Sequence, residues 1–337
     1  MTAYSRWQGL WFCVLLAFCS TTGGSEPERF AMRPEVRSFL DKISQEEDIN
    51  RIRLAGLFAG LSSQQAVLDL ISRPAERTLR WADYRPIFLT TERIEAGRKF
   101  LEEHNSLLLQ VEERHGVSPE YIVAIIGVET FYGRITGTFT VLEALATLAF
   151  DYPPRASFFR QELAEYLVLS EKEGWDTVDV KGSYAGAMGM PQFIASSYRQ
   201  YAVDFDDDGQ RDLFGSMADI LGSVGNYLAR HGWTAGATPA EQWQPAEGIE
   251  PPMRALVRES LRPEIDAEKI LSLGFESDAL QQAIENDDRV SVMTFDNDDA
   301  EELWIGYGNF YAITRYNHSR LYALAVFQLA QAISEAS

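Results

Sequence analysis

The chain has 337 residues and a formal net charge of −20, with 46% hydrophobic and 24% charged residues. These proportions are ordinary for a globular protein with a substantial core, so a wholly disordered chain is excluded. Because no basic stripe is available to neutralise phosphates, we expect neither nucleic-acid binding nor charge-driven docking on an anionic membrane.

The first two dozen residues differ from the rest of the chain. Arg6 precedes an apolar run over 10–19, and small residues follow from Ser20 to Gly24. This order is typical of a secretory signal, since a membrane-spanning helix needs about 20 apolar residues. We therefore predict a signal peptide over 1–24 and export to the periplasm, with a transmembrane anchor as the alternative. No later segment is long enough to cross a bilayer.

Both cysteines of the chain, Cys13 and Cys19, lie in this first segment. The run Leu16-Ala17-Phe18-Cys19 resembles the site where bacterial lipoproteins are cut and acylated, although a small residue is usual in place of Phe18. Two outcomes stay open, a soluble cleaved form and a form attached to the outer membrane through a lipid on Cys19. The remaining chain has no thiol, which excludes disulfides, zinc–cysteine sites and cysteine nucleophiles.

Residues 30–110 carry apolar positions at helical spacing and are predicted to be mostly helical. Arg73-Pro74 interrupts the pattern. The run Tyr84-Arg85-Pro86 predicts an extended connector, because the residue before a proline is disfavoured in a helix. One long amphipathic helix is then predicted from Thr91 to His115.

Ser118-Pro119-Glu120 has the features of a helix start, with a capping hydroxyl, a proline at the first helical position and an early carboxylate. The helix that follows is apolar on every side up to Glu129 and is therefore predicted to be buried. Burial disfavours the charged form of a carboxyl group, so we expect a raised pKa for Glu129, as a general acid requires. A structural glutamate paired with an arginine such as Arg134 is the alternative. Further helices are predicted over 140–150, 156–173, 194–201 and 216–231.

A glycine-rich stretch over 181–193 lies between two of these helices. Its small residues let the backbone approach a ligand closely, and Ser183, Tyr184 and Gln192 supply hydrogen-bonding groups. The stretch matches neither a phosphate-binding loop nor a dinucleotide-binding motif, so no organic cofactor is expected. A tight turn between packed helices is the alternative interpretation.

The segment from 204 to 212 matches an EF-hand calcium loop, with carboxylates at positions 1, 3, 5 and 9 and Gly209 at position 6. Gly215 stands at position 12, where a bidentate glutamate is expected, and Asp219 is predicted to supply that ligand instead. We therefore predict a structural Ca²⁺, with an acidic solvated turn as the alternative. The predicted ligands are Asp204, Asp206, Asp208, Gln210, Asp212 and Asp219.

After Trp233 the chain changes character. Residues 236–252 are rich in proline, glycine and alanine, which indicates a boundary. Strands are predicted over 289–295 and 303–307, and a closing helix from Arg320 to Ile333. Between them, the segment 307–317 contains aromatic and amide side chains that suit sugar recognition. A core strand followed by a helix cap at Asn317 is the alternative for that segment.

Other catalytic classes find little support in the sequence. The four histidines form no helix-spaced pair that could hold a metal, and no glycine-x-serine-x-glycine motif is present. Zinc and serine hydrolases are therefore disfavoured.

Taken together, these motifs resemble the membrane-bound lytic transglycosylase B family of peptidoglycan-cleaving enzymes. The similarity extends from about Phe30 to the C-terminal helix. The segments that carry it are 125–130, 132–134, 145–155, 182–189, 191–193, the aspartate loop and 309–317.

The resemblance implies an α+β fold, predominantly α, in which a lysozyme-like helical core is flanked by a helical lobe and a small β lobe. The expected divisions are a helical lobe over 25–110, the core over 111–235, the β lobe over 236–310 and a substrate-contacting end over 311–337. It also implies a calcium loop and Glu129 as the single catalytic acid/base. The implied sugar-binding residues are Ser183, Tyr184, Gln192, Tyr316 and Asn317.

In the chemistry of this family, Glu129 would protonate the bond between N-acetylmuramic acid and N-acetylglucosamine. The muramoyl 6-hydroxyl would then close a 1,6-anhydro end, with peptidoglycan strands as substrate and other cell-wall enzymes as candidate partners. A lysozyme-type hydrolase, which needs a second carboxylate or a positioned water, is one rival interpretation. A non-catalytic, calcium-stabilised envelope-binding protein is the other, and the intact Glu129 argues against it.

Overall fold

The computed structural model describes residues 29–73, 79–245, 248–298 and 300–335. The predicted signal peptide, Cys19 and the interruption at Pro74 lie outside these residues. Helices dominate the described chain, accompanied by one two-stranded and one four-stranded antiparallel sheet. The predicted fold class, α+β with a predominance of helices, is therefore confirmed. Within these ranges, no helix combines the length and apolar character needed to cross a membrane.

The N-terminal part is a succession of amphipathic helices whose apolar side chains, such as Val36 and Leu54, are buried in the main core. Asn50 and Thr90 cap two of these helices through side-chain oxygens that accept backbone N–H groups. The helices are α1 (Pro34–Glu47), α2 (Arg51–Phe58), α3 (Gln65–Ile71), α4 (Trp81–Phe88), α5 (Thr91–Glu103) and α6 (Asn105–His115).

Two predictions for this part are wrong. The run 84–86 is not an extended connector but lies inside α4, with Pro86 in the helix. Trp81 and Tyr84 on the same helix are each about 1% exposed, and burying these large rings outweighs the hydrogen bond that the proline removes. The predicted helix from Thr91 to His115 is also two helices. His104 separates them and packs its ring edge-on against Phe100, with ring centroids 4.5 Å apart.

The central part contains the predicted buried helix. Positions 122–128 of α7 are all buried, as the apolar pattern indicated. Ser118 does occupy the N-cap position of α7, but the predicted capping hydrogen bond of its side chain is absent, and Pro119 fixes the helix start. The elements are α7 (Pro119–Thr130), β1 (Phe139–Thr140), α8 (Val141–Asp151), α9 (Ala156–Lys172), β2 (Lys181–Gly182), α10 (Ala195–Tyr201) and α11 (Met217–Arg230).

A small β-containing part follows, with the strand order β3-β6-β5-β4. It has a separate apolar cluster, in which Trp243, Leu280, Val292 and Ile305 are buried together. Both predicted strands are present, the alternating run as β5 and the apolar, aromatic run as β6. The elements are β3 (Ala240–Trp243), α12 (Pro251–Arg254), β4 (Ile265–Asp266), α13 (Ala267–Leu271), α14 (Asp278–Glu285), β5 (Arg289–Asp296) and β6 (Glu301–Gly306).

Two helices complete the described chain, α15 (Gly308–Tyr316) and α16 (Arg320–Ser334). The alternative of a core strand for 307–317 is therefore wrong, and Asn317 follows the C-terminal end of α15. Helix α16 is buried almost all round and packs along α7. This packing brings the end of the chain back to the buried central helix.

Candidate active site

One cleft of about 1340 Å³ contains every residue that the sequence predicted for catalysis and sugar binding. These residues are Glu129, Ser183, Tyr184, Gln192, Tyr316 and Asn317. Aromatic rings such as Phe158 and Tyr227 line the same space. The cleft thus combines one carboxyl group at the end of a buried helix with amide, hydroxyl and aromatic groups.

Glu129 lies in the last turn of α7, and the backbone around it is held from both sides. The hydroxyl of Thr130 donates to the Met190 carbonyl at 3.0 Å, and the hydroxyl of Tyr132 donates to the Arg93 carbonyl at 3.0 Å. The helix ends abruptly because Phe131 and Tyr132 both adopt left-handed backbone angles, with φ of 51° and 58°. These contacts hold a half-buried carboxyl group at the wall of the cleft.

The hydroxyl of Tyr322 donates a 2.6 Å hydrogen bond to Oε1 of Glu129. Burial raises the pKa of Tyr322 well above the usual value for a phenol, and the charge of Glu129 raises it further. The phenol therefore keeps its proton at neutral pH and remains a donor. Arg134, the arginine suggested as a partner of Glu129, forms an ion pair with Glu92 at the surface, with 2.9 Å between Nη1 and Oε1.

Tyr322 belongs to an aromatic group that sequence reasoning missed. Its ring lies parallel to that of Tyr316, with centroids 6.4 Å apart, and Tyr316 contacts Tyr227 at 4.7 Å. Tyr227 stacks in turn on His231 at 4.2 Å. Because Tyr322 occupies an apolar helix and Tyr227 a strongly amphipathic one, both look like ordinary core residues in the sequence. Only the packing of α16 and α11 against α7 and α15 identifies them.

The glycine-rich stretch forms a tight turn at the edge of the cleft. The Ser183 hydroxyl oxygen accepts the N–H groups of Ala185 at 3.2 Å and Ala187 at 3.1 Å, which leaves its own proton available for donation. Gly186 has φ of 81°, and a Cβ at this position would lie 2.5 Å from the Leu145 side chain. The stretch is therefore a tight turn, and its Ser183, Tyr184 and Gln192 line the cleft.

Gln192 adopts a left-handed backbone angle, φ 52°, which is uncommon outside glycine and often marks a functional position. Its amide nitrogen donates to the carbonyls of Thr136 at 3.1 Å and Gly189 at 2.9 Å. Both donors of the amide are thereby used. Its carbonyl oxygen has no hydrogen-bond donor among the described residues and can accept one from a ligand.

The C-terminal segment is tied directly to this turn. The Tyr316 hydroxyl donates to the Pro191 carbonyl at 2.6 Å, and the Tyr227 hydroxyl donates to the Arg315 carbonyl at 2.5 Å. Tyr184 and Asn317 lie half-buried at the cleft wall. The ring of Tyr316, rather than its hydroxyl, is therefore the part that remains for a ligand.

Charged groups also line the cleft. The basic ones are Arg80, Arg155, Arg315 and Arg320, and the acidic ones besides Glu129 are Glu259 and Asp296. Arg155 lies over the Phe158 ring at 4.1 Å, which fixes its guanidinium in place. Sequence reasoning did not single out these arginines, although Arg155 closes the Pro153-Pro154-Arg155 run that supported the family resemblance.

Three of the predicted calcium ligands converge at the aspartate loop. Carboxylate oxygens of Asp204, Asp206 and Asp219 lie within 4.8 Å of one another. Asp219 is fully buried, and its carboxylate accepts the N–H groups of Phe205 and Asp212, each at 2.7 Å. Burial nevertheless raises the pKa of Asp219, and the charges of Asp206 and Asp204 add to this effect. Such a group is electrostatically suited to a bound cation.

The other predicted ligands make local backbone contacts. Asp208 accepts the N–H of Gln210 at 2.8 Å, and Asp212 accepts those of Phe214 and Gly215 at 2.8 and 2.9 Å. Gly209 has φ of 91°, as the sharp turn of an EF-hand loop requires. Neither Asp208 nor Asp212 belongs to the converging group of carboxylates.

Known proteins resemble this chain over most of its length. The transglycosylase SLT domain family matches residues 31–331. Membrane-bound lytic murein transglycosylase B of Escherichia coli K12 is 37% identical over 314 residues, which cover 90% of this chain and 84% of that protein.

Solved structures agree with the sequence comparison. The soluble lytic transglycosylase SltB1 from Pseudomonas aeruginosa has a TM-score of 0.81 and 42% identity, covering 90% of this chain and 99% of that one. The Escherichia coli lytic transglycosylase Slt35 in complex with calcium has a TM-score of 0.80 and 36% identity, covering 91% of this chain and 95% of that one.

Proposed function

The chain belongs to the transglycosylase SLT domain family, and from this premise we propose that it cleaves peptidoglycan glycan strands with Glu129 as catalytic acid and base. It is a lytic transglycosylase, and the resemblance inferred from its motifs is confirmed. The observation that carries the assignment of roles is the position of Glu129. One carboxyl group at the end of a buried helix faces a cleft of sugar-complementary groups, and a buried phenol donates to it.

The reaction needs two proton transfers at the same carboxyl group. Protonated Glu129 first gives its proton to the glycosidic oxygen between N-acetylmuramic acid and N-acetylglucosamine, and the bond from that oxygen to the anomeric carbon breaks. The muramoyl 6-hydroxyl oxygen then bonds to the anomeric carbon while the Glu129 carboxylate removes the hydroxyl proton. Glu129 regains the proton that it gave, a 1,6-anhydro ring closes, and neither a water nor a second carboxylate is consumed.

Tyr322 supports both steps through its hydrogen bond to Oε1. The bond fixes the rotamer of Glu129, and a donor at this oxygen stabilises the carboxylate that forms after the first proton transfer. We therefore assign Tyr322 as a positioning residue.

Sugar binding is assigned to the groups that the protein itself leaves available. The Gln192 carbonyl oxygen is suited to accept an N–H or O–H from the sugar, and the Ser183 hydroxyl is suited to donate to one of its oxygens. Tyr184, Asn317 and the Tyr316 ring complete the same wall of the cleft. These assignments concern the glycan part of the substrate.

We extend the proposal to a structural Ca²⁺ held by Asp204, Asp206 and Asp219. Carboxylate oxygens are the ligands that Ca²⁺ prefers, and the converging group in the aspartate loop supplies three. A bound cation would offset the unfavourable burial of Asp219 at the start of α11. The site lies apart from the cleft, so the expected role is stabilisation.

The proposed location of the protein is the periplasm. The proposal includes its attachment to the outer membrane through a lipid on Cys19. The signal-like order of residues 1–24 supports export, and the Escherichia coli relative is named as membrane-bound. Labelling of producing cells with radioactive palmitate tests the anchor, with Cys19→Ala as the control. Equal labelling of the two proteins would contradict lipidation at Cys19.

The direct test of the proposed reaction is the chemistry of its products. Purified peptidoglycan sacculi are digested with the protein, and the released muropeptides are measured by mass spectrometry, with Glu129→Gln as the control. We expect 1,6-anhydromuramoyl ends that vanish with the variant. Reducing ends would show a lysozyme-type hydrolase, and binding without release of fragments would show a non-catalytic envelope protein.

A further inference from the structure

Strand β3 forms one edge of the four-stranded sheet, and no strand of the described chain pairs with its other side. The Tyr307 N–H donates to the Pro239 carbonyl at 2.9 Å, and Glu241 pairs with Ile305 two residues along. Hydrogen-bonded pairs alternate in an antiparallel ladder, so the backbone N–H and C=O of Gln242 point away from β6. Gln242 is also exposed, and such unpaired groups can bond to a strand of another chain.

A groove of about 920 Å³ lies beside β3. Residues 238–242 form one side, and the C-terminal end of α16 contributes Gln328, Gln331 and Glu335 on another. The start of α7 contributes Glu120 and Tyr121. This groove shares no lining residue with the catalytic cleft.

The groove is strongly acidic. Its lining carries four carboxylates against the single guanidinium of Arg85, and the four are Glu120, Glu241, Glu302 and Glu335. Among the described residues, none of these four carboxylates forms an ion pair with a lysine or arginine of the chain. Burial raises the pKa of Glu120, and the charge of Glu112 adds to this effect, in keeping with a carboxylate that has no compensating cation.

Two of these carboxylates are held in fixed positions by the fold. Glu241 accepts the hydroxyls of Ser277 and Tyr307, both at 2.6 Å. Glu302 accepts the Asn297 amide at 2.7 Å and the Trp304 indole N–H at 2.9 Å. Glu241 is opposite Ile305, whereas Glu302 shares a face with Trp304, so the two fixed carboxylates lie on opposite faces of the sheet beside the open strand edge.

We propose that this groove binds an extended, basic segment of a partner protein, which adds as a fifth strand to β3 and places lysine or arginine side chains against the carboxylates. Backbone pairing would supply affinity, and the carboxylates around the strand edge would select partners by charge. A glycan strand fits these features poorly, because it lacks a peptide ladder for the strand edge and its stem peptides carry carboxylates that the acidic side chains of the groove repel.

The test uses the full chain and a fluorescent, acetylated and amidated peptide that alternates lysine and threonine. We expect binding by fluorescence anisotropy at low salt, together with slower amide hydrogen exchange over 240–244. A peptide with glutamate in place of lysine should not bind. A peptide N-methylated on the backbone at every second residue should bind at least about tenfold more weakly, because it cannot complete the ladder.

Variants locate the binding to the groove. The double variant Glu120→Gln/Glu335→Gln should lower the affinity for the lysine peptide about tenfold. The control Glu268→Gln/Glu285→Gln, at exposed positions of the β-containing part outside the groove, should not. Melting curves and sacculus cleavage should match the unaltered protein in both. The proposal is overturned if the lysine peptide does not bind, if N-methylation or the groove variant leaves its affinity unchanged, or if the protected amides lie elsewhere.

Discussion

The aspartate loop and the catalytic cleft differ in how much of the chain each one requires. The loop brings together Asp204, Asp206 and Asp219, which are close neighbours in sequence. The cleft brings Tyr322 to Glu129 across a separation of 193 residues. The loop is therefore a nearly local structure, while the cleft exists only when α7, α15 and α16 pack together.

The two regions also differ in what holds them. Carboxylates of the loop accept backbone N–H groups a few residues away, such as that of Gly209 on Asp204 at 2.8 Å. In the cleft, long-range bonds from side chains to carbonyls set the geometry, such as Tyr316 to Pro191 across 125 residues. The comparison indicates that changes in the loop should alter stability, whereas changes in the cleft should alter the reaction.

The largest expected effect is on the reaction rate, and it comes from a substitution in the cleft that leaves the aspartate loop unchanged. Glu129→Gln should reduce the initial rate on purified glycan strands by about 10² to 10⁴-fold, because glutamine can neither donate nor remove the proton. Its melting temperature and calcium response should not change. The exposed Glu113→Gln on α6 serves as the matched control. A rate within tenfold of the unaltered protein would remove Glu129 from the centre of the mechanism.

Calcium should act on the loop alone. At a hundredfold excess over its dissociation constant, Ca²⁺ should stabilise the folded protein by about 2.7 kcal/mol, measured by chemical denaturation with and without chelator. Asp204→Ala should abolish this gain. Asp208→Ala should retain more of it, because Asp208 lies outside the converging group. Two results would contradict this prediction. One is an equal loss of calcium stabilisation in the two variants, and the other is a large change in the cleavage rate of the folded protein when calcium is removed.

Removal of the Tyr322 hydroxyl should give a smaller effect on the rate. A hydrogen bond to a charged group contributes about 2 kcal/mol, so Tyr322→Phe should lower kcat roughly thirtyfold with little change in KM. Tyr316→Phe is the matched control, since its hydroxyl bonds to a backbone carbonyl rather than to Glu129. If the two variants have the same kcat, or if only KM rises for Tyr322→Phe, Tyr322 does not position the acid.

The smallest predicted effect concerns pH. Burial lowers the pKa of His231, which lines the cleft, so the folded protein binds a proton there less readily than the unfolded chain. The pKa of this histidine in the unfolded chain is about 6.5. Its effect on the free energy of unfolding should therefore be absent above that pH, and the free energy of unfolding should fall as the pH drops through and below it. Urea denaturation with calcium held saturating measures this dependence. His231→Phe should make it shallower, and an unchanged slope would contradict the prediction.

Much of the architecture could be predicted from the sequence, because it depends on short-range patterns. The all-round apolar run before Glu129 indicated a buried helix, and α7 is buried from 122 to 128. The alternating residues of β5 and the apolar run of β6 indicated strands, and both are present. The spacing of aspartates around Gly209 indicated the loop.

Local rules failed where tertiary contacts outweighed them. Pro86 predicted an extended connector, yet α4 continues through it because Trp81 and Tyr84 are buried. The helical pattern from Thr91 to His115 did not reveal the break at His104. At Pro86 the cost of a proline inside a helix is about 3 kcal/mol, and burial of large aromatic side chains against distant elements outweighs it.

The sequence by itself determined the family, and it predicted Glu129 as the acid and a set of residues for sugar binding. Only the tertiary structure decided that Tyr322 donates to Glu129, that Arg134 pairs with Glu92, and that β3 has an open edge beside an acidic groove. The physical reason is the range of the interactions. Periodicity and turn chemistry act within a few residues, whereas contacts between side chains far apart in sequence form only after their helices and strands have packed.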